Sequence, residues 1–406
     1  MRQTGAVSSE FHVSVAEHRT ALAGLLGGPV AGCVPLDRHA LGRRLAEDLV
    51  AADELPRFDS SAMDGYAVHP DDAEQREFVV VGDVPAGFAP AFELGRGEAA
   101  RVMTGARLPL GTVAVVPVER TDASPTGPAP HEVVITQAVH AGRHVRRRGE
   151  DVSAGTTIAT AGSVVTPALI ALGRSAGCAR ARVYSALRVA VIATGAELVD
   201  PSSEPGLGSI HESNSDMVAA LALSAGCVTD RVLTCDDEPE RLQTLLDDLV
   251  TSGEVDLVIT TGGVSAGAFE VVRQVCEPLE TFEFAHLAMQ PGGPQGLGRW
   301  RGLPVVCLPG TPAGAFVAFH VLVRPALYAR HGAPPSVPGT ASFHGRPRSM
   351  RPGRMQFLTS VLHEDGTVTL PHGRNLVALA AANALVEVPA EVELLVEGDV
   401  VQVHPL

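Results

Sequence analysis

The sequence has no excess of positive charge. It contains 31 lysine and arginine residues against 46 aspartate and glutamate residues, which gives a formal net charge of −15 at pH 7. A duplex nucleic acid or an acidic membrane surface is bound through a basic face, so this balance argues against both partners. An acidic protein can still bind an anionic small molecule if backbone N–H groups, a few arginines or a divalent metal ion hold it.

Signals for zinc clusters, export and membrane insertion are also missing. The six cysteines are scattered without a C-x-x-C pair, so a clustered zinc site is disfavoured and buried, reduced thiols are expected. The polar N-terminus carries acids, unlike a secretory signal. The apolar run at 21–36 is broken by glycines and Pro29 and is too short to span a bilayer. We expect a cytoplasmic protein.

The sequence does contain enough material for several domains. With 406 residues, 45% of them apolar and 19% charged, two to four globular domains are expected. Composition breaks predict a discontinuous helical domain at 1–48 and 149–186, interrupted by a small β-rich domain at 49–148. An α/β domain at 187–332 and a C-terminal β domain at 333–406 follow.

Strands and helices alternate from residue 187 onward. Apolar runs at 188–193, 256–260 and 304–308 are typical of strands buried on both faces, and helical patterns separate them. This alternation predicts a doubly wound parallel sheet covered by helices, and so an α/β multidomain fold class. Such sheets bind ligands at loops beyond the carboxyl ends of their strands.

The sharp loops of this α/β domain combine glycines with acids. Glycine-rich turns before helices expose N–H groups that suit phosphate, although no Walker A loop or G-x-G-x-x-G fingerprint occurs at these junctions. Acids beside phosphate would repel it unless Mg²⁺ bridges them, and the candidate metal ligands are Asp236, Asp237 and Glu270. Tight turns, and helix capping by the Asp236–Asp237 pair, are the alternatives.

A loop closer to the start of the chain carries a second candidate site. The segment PRFDSSAMDGYA at 56–67 places Asp59 and Asp64 five positions apart among turn-forming residues. Acids and hydroxyls are costly to bury without partners, so the segment is typical of a shaped loop at a site. Turn capping by Asp59, Ser60 and Ser61 is the alternative.

Three consecutive arginines, Arg146 to Arg148, permit two interpretations. They could clamp an anion, but Glu150 and Asp151 follow at once. A solvated stretch that pairs with itself is therefore at least as good an explanation.

Five further motifs follow in a characteristic order: MTGA at 103–106, RRRGED at 146–151, TTGGVSAG at 260–267, QPGGP at 290–294 and LPGTP at 308–312. In this order and spacing they resemble the molybdopterin molybdenumtransferase family, to which the E domain of gephyrin is related. The resemblance runs from about residue 30 to the C-terminus. It implies that adenylylated molybdopterin and molybdate are converted, with Mg²⁺, to molybdenum cofactor and AMP. It also implies a three-layer α/β domain of the molybdopterin-binding type, and a lid and dimerisation role for the discontinuous domain.

The resemblance also implies roles for individual residues. The catalytic positions are Asp59, Thr104, Glu197, Asp237 and Glu270, and Asp236, Asp237 and Glu270 are the metal positions. The positions that bind the pterin substrate are Ser61, Thr194, Gly195, Gly262, Gly263, Ser265, Pro291, Gly292, Pro309, Gly310 and Arg354. Family sites form across a homodimer, with the Asp59 and Thr104 region of one chain facing the α/β domain of the other. A molybdopterin adenylyltransferase and apo-molybdoenzymes are the implied protein partners.

One departure from the family pattern keeps other functions open. Members usually have Lys-Pro-Gly-Lys-Pro where this chain has QPGGP, so two positive charges are missing at Gln290 and Gly293. A non-catalytic paralogue that acts as a dimeric scaffold or cofactor carrier is therefore the alternative function. A molybdopterin adenylyltransferase is a third candidate, but such enzymes resemble only the α/β portion and lack the 56–67 and 103–106 motifs.

Overall fold

The computed structural model describes residues 13–71, 74–265, 267, 270–335, 337–371 and 376–406. Ala266 of the TTGGVSAG motif and residues 1–12 of the first predicted domain lie outside this range. The chain forms two compact units, Cys33–Leu41 with Leu45–Val183, and Met1–Gly32 with Gly42–Arg44 and Tyr184–Leu406. The four-domain boundaries stay a prediction.

The first helix, α1 (Val15–Leu26), belongs to the larger unit. Ser14 and Glu17 form a capping box, in which the Glu17 N–H donates to Ser14 Oγ at 3.2 Å and the Ser14 N–H donates to Glu17 Oε2 at 2.8 Å. Val15 and Leu22 are buried in the same core as the strands of the α/β domain. The sequence pattern placed this helix in the discontinuous domain, whereas its packing is with the α/β core.

The smaller unit is built mainly from short strands. Its elements are β1 (Ala31–Pro35), β2 (Leu49–Val50), β3 (Ser60–Ser61), β4 (Gly65–His69), β5 (Glu77–Val84), β6 (Glu98–Val102), β7 (Ala114–Pro117), β8 (Glu132–Val134), β9 (Val145–Arg146), β10 (Thr157–Ala159), α2 (Pro167–Ser175) and β11 (Arg180–Tyr184). A five-stranded sheet has the order β7-β4-β6-β5-β8, which confirms the β-rich domain. The flanking segments, predicted to be helical, each contain one helix, α1 or α2, and also form the β1–β11 and β2–β10 pairs, which were not predicted.

The α/β domain contains the larger sheet. Its elements are β12 (Arg188–Thr194), β13 (Leu198–Val199), β14 (Ile210–His211), α3 (Asn214–Ser224), β15 (Val228–Cys235), α4 (Pro239–Ser252), β16 (Leu257–Thr261), α5 (Val271–Cys276), β17 (Phe282–His286), β18 (Met289–Gln290), β19 (Pro294–Trp300), β20 (Leu303–Leu308), α6 (Pro312–Ala318) and α7 (Arg324–Arg330). The sheet order is β15-β12-β16-β20-β19-β17, and β15, β12, β16 and β20 run parallel.

Helices cover both faces of this sheet. Along β12, Val189 and Val191 face a core shared with α1, α3 and the helical stretch from α6 to α7, whereas Ala190 and Ile192 face a core shared with α4 and α5. Alternate residues of one strand thus enter two separate cores. This arrangement confirms the predicted three-layer, doubly wound domain.

One edge of the sheet departs from the parallel pattern. Strand β19 is antiparallel to both β20 and β17 and was not predicted, because its glycines are typical of turns. A Cβ at Gly296 would lie 2.6 Å from the Phe284 ring, and one at Gly298 would lie 2.5 Å from the Phe282 ring. The glycines are therefore required by the aromatic side chains of the neighbouring strand.

The stretch Pro312–Arg330 joins α6 and α7 through a π-helical segment, Phe319–Val323. It is long and apolar enough to cross a bilayer by length and composition, but 61% of it is buried inside the fold. A core helix passes the same criterion.

The C-terminal β domain closes on itself. Its elements are β21 (Gly339–Phe343), β22 (Arg348–Ser349), β23 (Met355–Leu362), β24 (Thr367–Thr369), α8 (Leu376–Ala380), β25 (Ala384–Val388), β26 (Leu394–Leu395) and β27 (Val400–Pro405). The strands follow the order β23-β24-β21-β27-β25, and β25 pairs again with β23 to complete a barrel-like ring. Strand β18 of the α/β domain adds to this sheet beside β23.

Candidate active site

Three parallel strands deliver their following loops to one edge of the sheet. β12, β16 and β20 are neighbours in register, with Ala193 opposite Thr261 and Thr261 opposite Leu308. The loops beyond these ends surround a cavity of about 540 Å³, here called the strand-end cavity. Nine residues predicted from sequence line it: Thr194, Gly195, Glu197, Asp237, Gly262, Gly263, Ser265, Glu270 and Gly310.

Glycines let these loops approach one another closely. Gly262 and Gly263 have φ values of 93° and 67°. A Cβ at Gly262 would lie 2.5 Å from the Thr194 carbonyl oxygen, and one at Gly310 would lie 3.2 Å from the Gly262 Cα. Any larger residue would separate the loops, so the glycines are needed both for the turn and for the shape of the cavity.

Two acids are held at the cavity wall by backbone hydrogen bonds. Asp237 accepts the Ala196 N–H through Oδ2 at 3.1 Å, and Glu270 accepts the Ser265 N–H through Oε2 at 2.9 Å. Asp237 thus fixes the loop after the neighbouring strand β12, whereas Glu270 fixes its own loop after β16. The second oxygen of each carboxylate accepts no hydrogen bond from another described residue. Glu197 also lies over its own loop, because a Cβ at Gly195 would be 2.6 Å from Glu197 Oε2.

Sequence reasoning missed a second group in the cavity, the residues that begin α3. Glu212 accepts the N–H groups of Asn214 and Ser215 at 2.6 and 2.9 Å, and it also binds the Ser215 hydroxyl. Asn214 donates through Nδ2 to the Gly310 carbonyl at 2.6 Å, while its buried Oδ1 has no hydrogen-bond partner among the described residues. The run HESNSD at 211–216, rich in capping residues, was the available signal.

The strand-end cavity is strongly acidic. Its described lining includes the carboxylates of Glu197, Glu212, Asp237 and Glu270, whereas His211 is the one side chain there that could become positive. The sequence has no lysine, so all 31 of its basic residues are arginines, and none of them is in this lining. A phosphate-bearing ligand therefore depends on backbone N–H groups and on a bridging cation.

The donor set fits Mg²⁺ bound together with a substrate phosphate. Mg²⁺ commonly takes one or two carboxylates plus phosphate and water oxygens, and Asp237 Oδ1 and Glu270 Oε1 are oxygens of the required kind. Within the described part of the chain, no three His, Cys, Asp or Glu side chains are grouped as a metal site. The cavity thus suits a cation shared with substrate, not a cage made of protein alone.

Several predicted residues lie outside the strand-end cavity. Asp236 is paired with Arg241 and accepts the Glu238 N–H at 3.4 Å, which favours the alternative that it supports the start of α4. Pro309 is buried, and a Cβ at Gly314 would lie 3.1 Å from the Pro309 Cβ.

Three other predicted residues also lie outside the strand-end cavity. Pro291 lines a separate cavity of about 180 Å³ with residues of β23. A Cβ at Gly292 would be 3.0 Å from the Gly314 carbonyl oxygen. Arg354 precedes Met355, which pairs with Met289.

The 56–67 segment of the smaller unit forms the shaped loop expected from its sequence. Asp59 accepts the Arg147 guanidinium at 2.6 Å and the Arg148 N–H at 2.8 Å. Burial raises the pKa of the Asp59 carboxyl, but the Arg148 N–H and the Arg147 guanidinium outweigh burial and hold the pKa below its usual value. Asp59 is therefore ionised at neutral pH.

Ser61 and Thr104 lie in the same loop region. The Gly105 N–H donates to the Ser61 carbonyl at 2.8 Å, and the Ser61 N–H donates to the Ala106 carbonyl at 3.0 Å. Asp64 accepts both the N–H and the hydroxyl of Thr104, at 2.6 and 2.8 Å, which lowers the pKa of Asp64. Asp64, to which the resemblance assigned no role, positions Thr104.

All three arginines of the run are paired, although only Arg146 pairs within the run as the second interpretation predicted. Arg146 pairs with Glu150 and Asp151. Arg148 pairs with Glu54, and Arg147 pairs with Asp59.

Comparisons with known proteins agree with the motifs. Three family models match: a MoeA N-terminal region (domain I and II) at residues 13–177, a probable molybdopterin binding domain at 190–329, and a MoeA C-terminal region (domain IV) at 345–406. A Mycobacterium tuberculosis protein named molybdopterin molybdenumtransferase 2 is 40% identical over 410 residues, 97% of this chain and 99% of that protein. Molybdopterin molybdenumtransferase 1 of the same species is 31% identical, over 90% of this chain and 92% of that protein.

A solved structure is similar to this chain along nearly its full length. The crystal structure of a molybdopterin biosynthesis MoeA protein from Pyrococcus horikoshii superposes with a TM-score of 0.73 at 28% identity, covering 97% of this chain and 98% of that one. Family models, relatives and structure agree along nearly the full length. The chain therefore belongs to the molybdopterin molybdenumtransferase family.

Proposed function

We propose that this protein inserts molybdate into adenylylated molybdopterin in a Mg²⁺-dependent reaction that releases AMP and forms molybdenum cofactor. The observation that carries the proposal is the strand-end cavity, which glycine turns and the carboxylates of Asp237 and Glu270 line. Relatives named molybdopterin molybdenumtransferase support the same assignment and a role in molybdenum cofactor biosynthesis.

The residues of the cavity would divide the work of binding between backbone and side chains. The N–H groups of Gly263 and Gly310 would hold phosphate oxygens, because those of Gly195 and Gly262 already donate to the Cys235 and Leu308 carbonyls, at 3.0 and 3.1 Å. Asp237 and Glu270 would hold Mg²⁺. When bound, Mg²⁺ would neutralise the charge that builds up on the departing AMP phosphate.

Asp59 and Thr104 of the smaller unit also belong to the proposed site. We propose that the protein is a cytoplasmic homodimer in which Asp59 and Thr104 contribute to the site. The fixed, half-buried Asp59 carboxylate and the exposed Thr104 hydroxyl, held by Asp64, support a catalytic role, since both groups are preorganised. A molybdopterin adenylyltransferase would supply the substrate, and apo-molybdoenzymes would accept the product.

A non-catalytic carrier is the alternative function, and one observation favours it. Gly293 stands where family members usually have lysine, and a Cβ there would lie 2.5 Å from Nε2 of His286. A lysine side chain therefore does not fit at this position without moving His286. A carrier would bind the adenylylated pterin without releasing AMP.

An AMP-release assay separates the two functions. Purified protein with adenylylated molybdopterin, molybdate and Mg²⁺ is expected to release AMP and to form cofactor that activates an apo-molybdoenzyme. Asp237→Asn and Glu270→Gln are each expected to abolish release, whereas Asp248→Asn, an exposed acid on α4, serves as the matched control. Tight substrate binding by the wild type with no AMP release at any molybdate concentration would establish the carrier instead.

A further inference from the structure

A second large cavity lies in the smaller unit and is rich in arginine. It has a volume of about 860 Å³ and is lined by Arg57, Arg107, Arg147 and Arg148, against two acids, Asp59 and Glu93. We call it the arginine cavity. In a chain with a net charge of −15, four arginines that line one cavity are an unusual local balance.

Asp59 fixes the segments that carry these arginines. Its carbonyl oxygen accepts the Leu108 N–H at 2.9 Å, which holds the segment of Arg107. Its carboxylate holds Arg147 and the Arg148 backbone, as described above. The 107–112 loop is also anchored to the opposite wall, because the Leu94 N–H donates to the Leu110 carbonyl at 2.8 Å and a Cβ at Gly111 would be 2.3 Å from the Leu94 carbonyl oxygen. The cavity is therefore preorganised.

Two of the arginines keep donors for a ligand. Arg107 lies over the Phe58 ring, with its Cζ 5.9 Å from the ring centroid, and has no carboxylate partner among the described residues. Stacking on a ring fixes a guanidinium while leaving the N–H groups at its edge available. Arg147 commits Nη1 to Asp59, and a guanidinium has five N–H donors. Arg57 and Arg148, in contrast, pair with Asp53 and Glu54.

We propose that the arginine cavity binds a tetrahedral oxyanion, with Arg107 and Arg147 as its ligands. The planar forks of arginine match the oxygen pairs of such an anion. The acidic strand-end cavity has no arginine in its described lining, so it is poorly suited to hold a free dianion. Asp59 acts here as a positioning residue, which adds to its predicted catalytic role. The inference rests on the proposed function only for the identity of the oxyanion, which is molybdate or the phosphate of AMP.

Calorimetric titration of the full-length protein with sodium molybdate, and separately with AMP, tests this inference at low, fixed ionic strength. Arg107→Gln is expected to weaken binding of at least one of the two anions by about tenfold to a hundredfold, the usual effect of losing a hydrogen bond to a charged group. The matched control is Arg96→Gln, an exposed arginine of the same unit outside the cavity. The anion whose binding weakens in Arg107→Gln identifies the source of the oxyanion. Asp59→Asn is expected to weaken binding of the same anion.

Two results would overturn the inference: equal affinities in Arg107→Gln and Arg96→Gln, or no binding of either anion by the wild type. Unfolding curves of each variant separate a lost ligand from a lost fold. Arg107-dependent binding without AMP release by the wild type would refute the proposed function alone. If the wild type releases AMP but Arg107→Gln binds both anions as tightly as the wild type, this inference alone is refuted.

Discussion

Substitution of Gly262 by alanine tests whether the convergence of three loops creates the strand-end cavity. Gly262 has a φ of 93°, and an added Cβ would lie 2.5 Å from the Thr194 carbonyl oxygen and 2.9 Å from Thr194 Oγ1. The left-handed backbone costs about 1–2 kcal/mol for a residue with a Cβ, and overpacking costs about 1–3 kcal/mol. We therefore expect Gly262→Ala to lose roughly 2–5 kcal/mol of unfolding free energy.

The matched control is Gly253→Ala at the end of α4. Gly253 also has a positive φ, 63°, but no atom lies within 4 Å of its added Cβ. Gly253→Ala is expected to lose only about 1–2 kcal/mol of unfolding free energy, which is the cost of the left-handed backbone, and to keep full AMP release. Gly262→Ala should lose AMP release as well, because the loop after β16 must move away from Thr194. Urea unfolding and AMP release are both measured on the two variants. Equal stability and equal activity of the two would refute the account of the cavity.

Two further predictions concern stability. Burial lowers the pKa of His18 to about 4 and that of His320 to about 3. Below pH 6.5 these imidazoles are protonated in the unfolded chain but stay neutral in the folded protein. The free energy of unfolding therefore falls as the pH drops from 7 towards 4. Each histidine should lower the free energy of unfolding by about 2 kcal/mol between pH 7 and pH 5. In urea unfolding, His18→Gln should therefore show a weaker pH dependence of stability than the wild type. Glu212→Ala removes the acceptor for two N–H groups in the first turn of α3 and should lower the free energy of unfolding by about 1–3 kcal/mol. The control, Glu204→Ala at an exposed position, should leave stability unchanged. Equal melting temperatures of the two variants would contradict this role of Glu212.

The α/β domain was the most predictable part of the fold. Strands buried on both faces are near-continuous apolar runs, so β12, predicted at 188–193, is observed at Arg188–Thr194. Strand β19 escaped prediction because its glycines serve aromatic neighbours on β17, and only the tertiary structure shows those neighbours. The two-residue strands of the smaller unit carry too little periodicity to be recognised.

The candidate site was predictable where strand order alone decides position. Loops after parallel strands must meet at one edge, which placed Thr194, Gly262 and Gly310 together. Asp236 and Asp237 are adjacent in sequence, yet only Asp237 lines the cavity. Which of two neighbouring side chains enters a site depends on the local backbone and its partners, here Arg241, and sequence spacing does not fix this.

The central claim is that an acidic cavity accepts a phosphate-rich pterin only together with a divalent cation. Calorimetric binding of adenylylated molybdopterin to the wild type, in the presence of Mg²⁺ and then of EDTA, tests it most directly. We expect binding with Mg²⁺ and none with EDTA, and an Asp237→Asn/Glu270→Gln double variant should bind without regard to Mg²⁺. Equal affinity of the wild type in Mg²⁺ and in EDTA would contradict the claim.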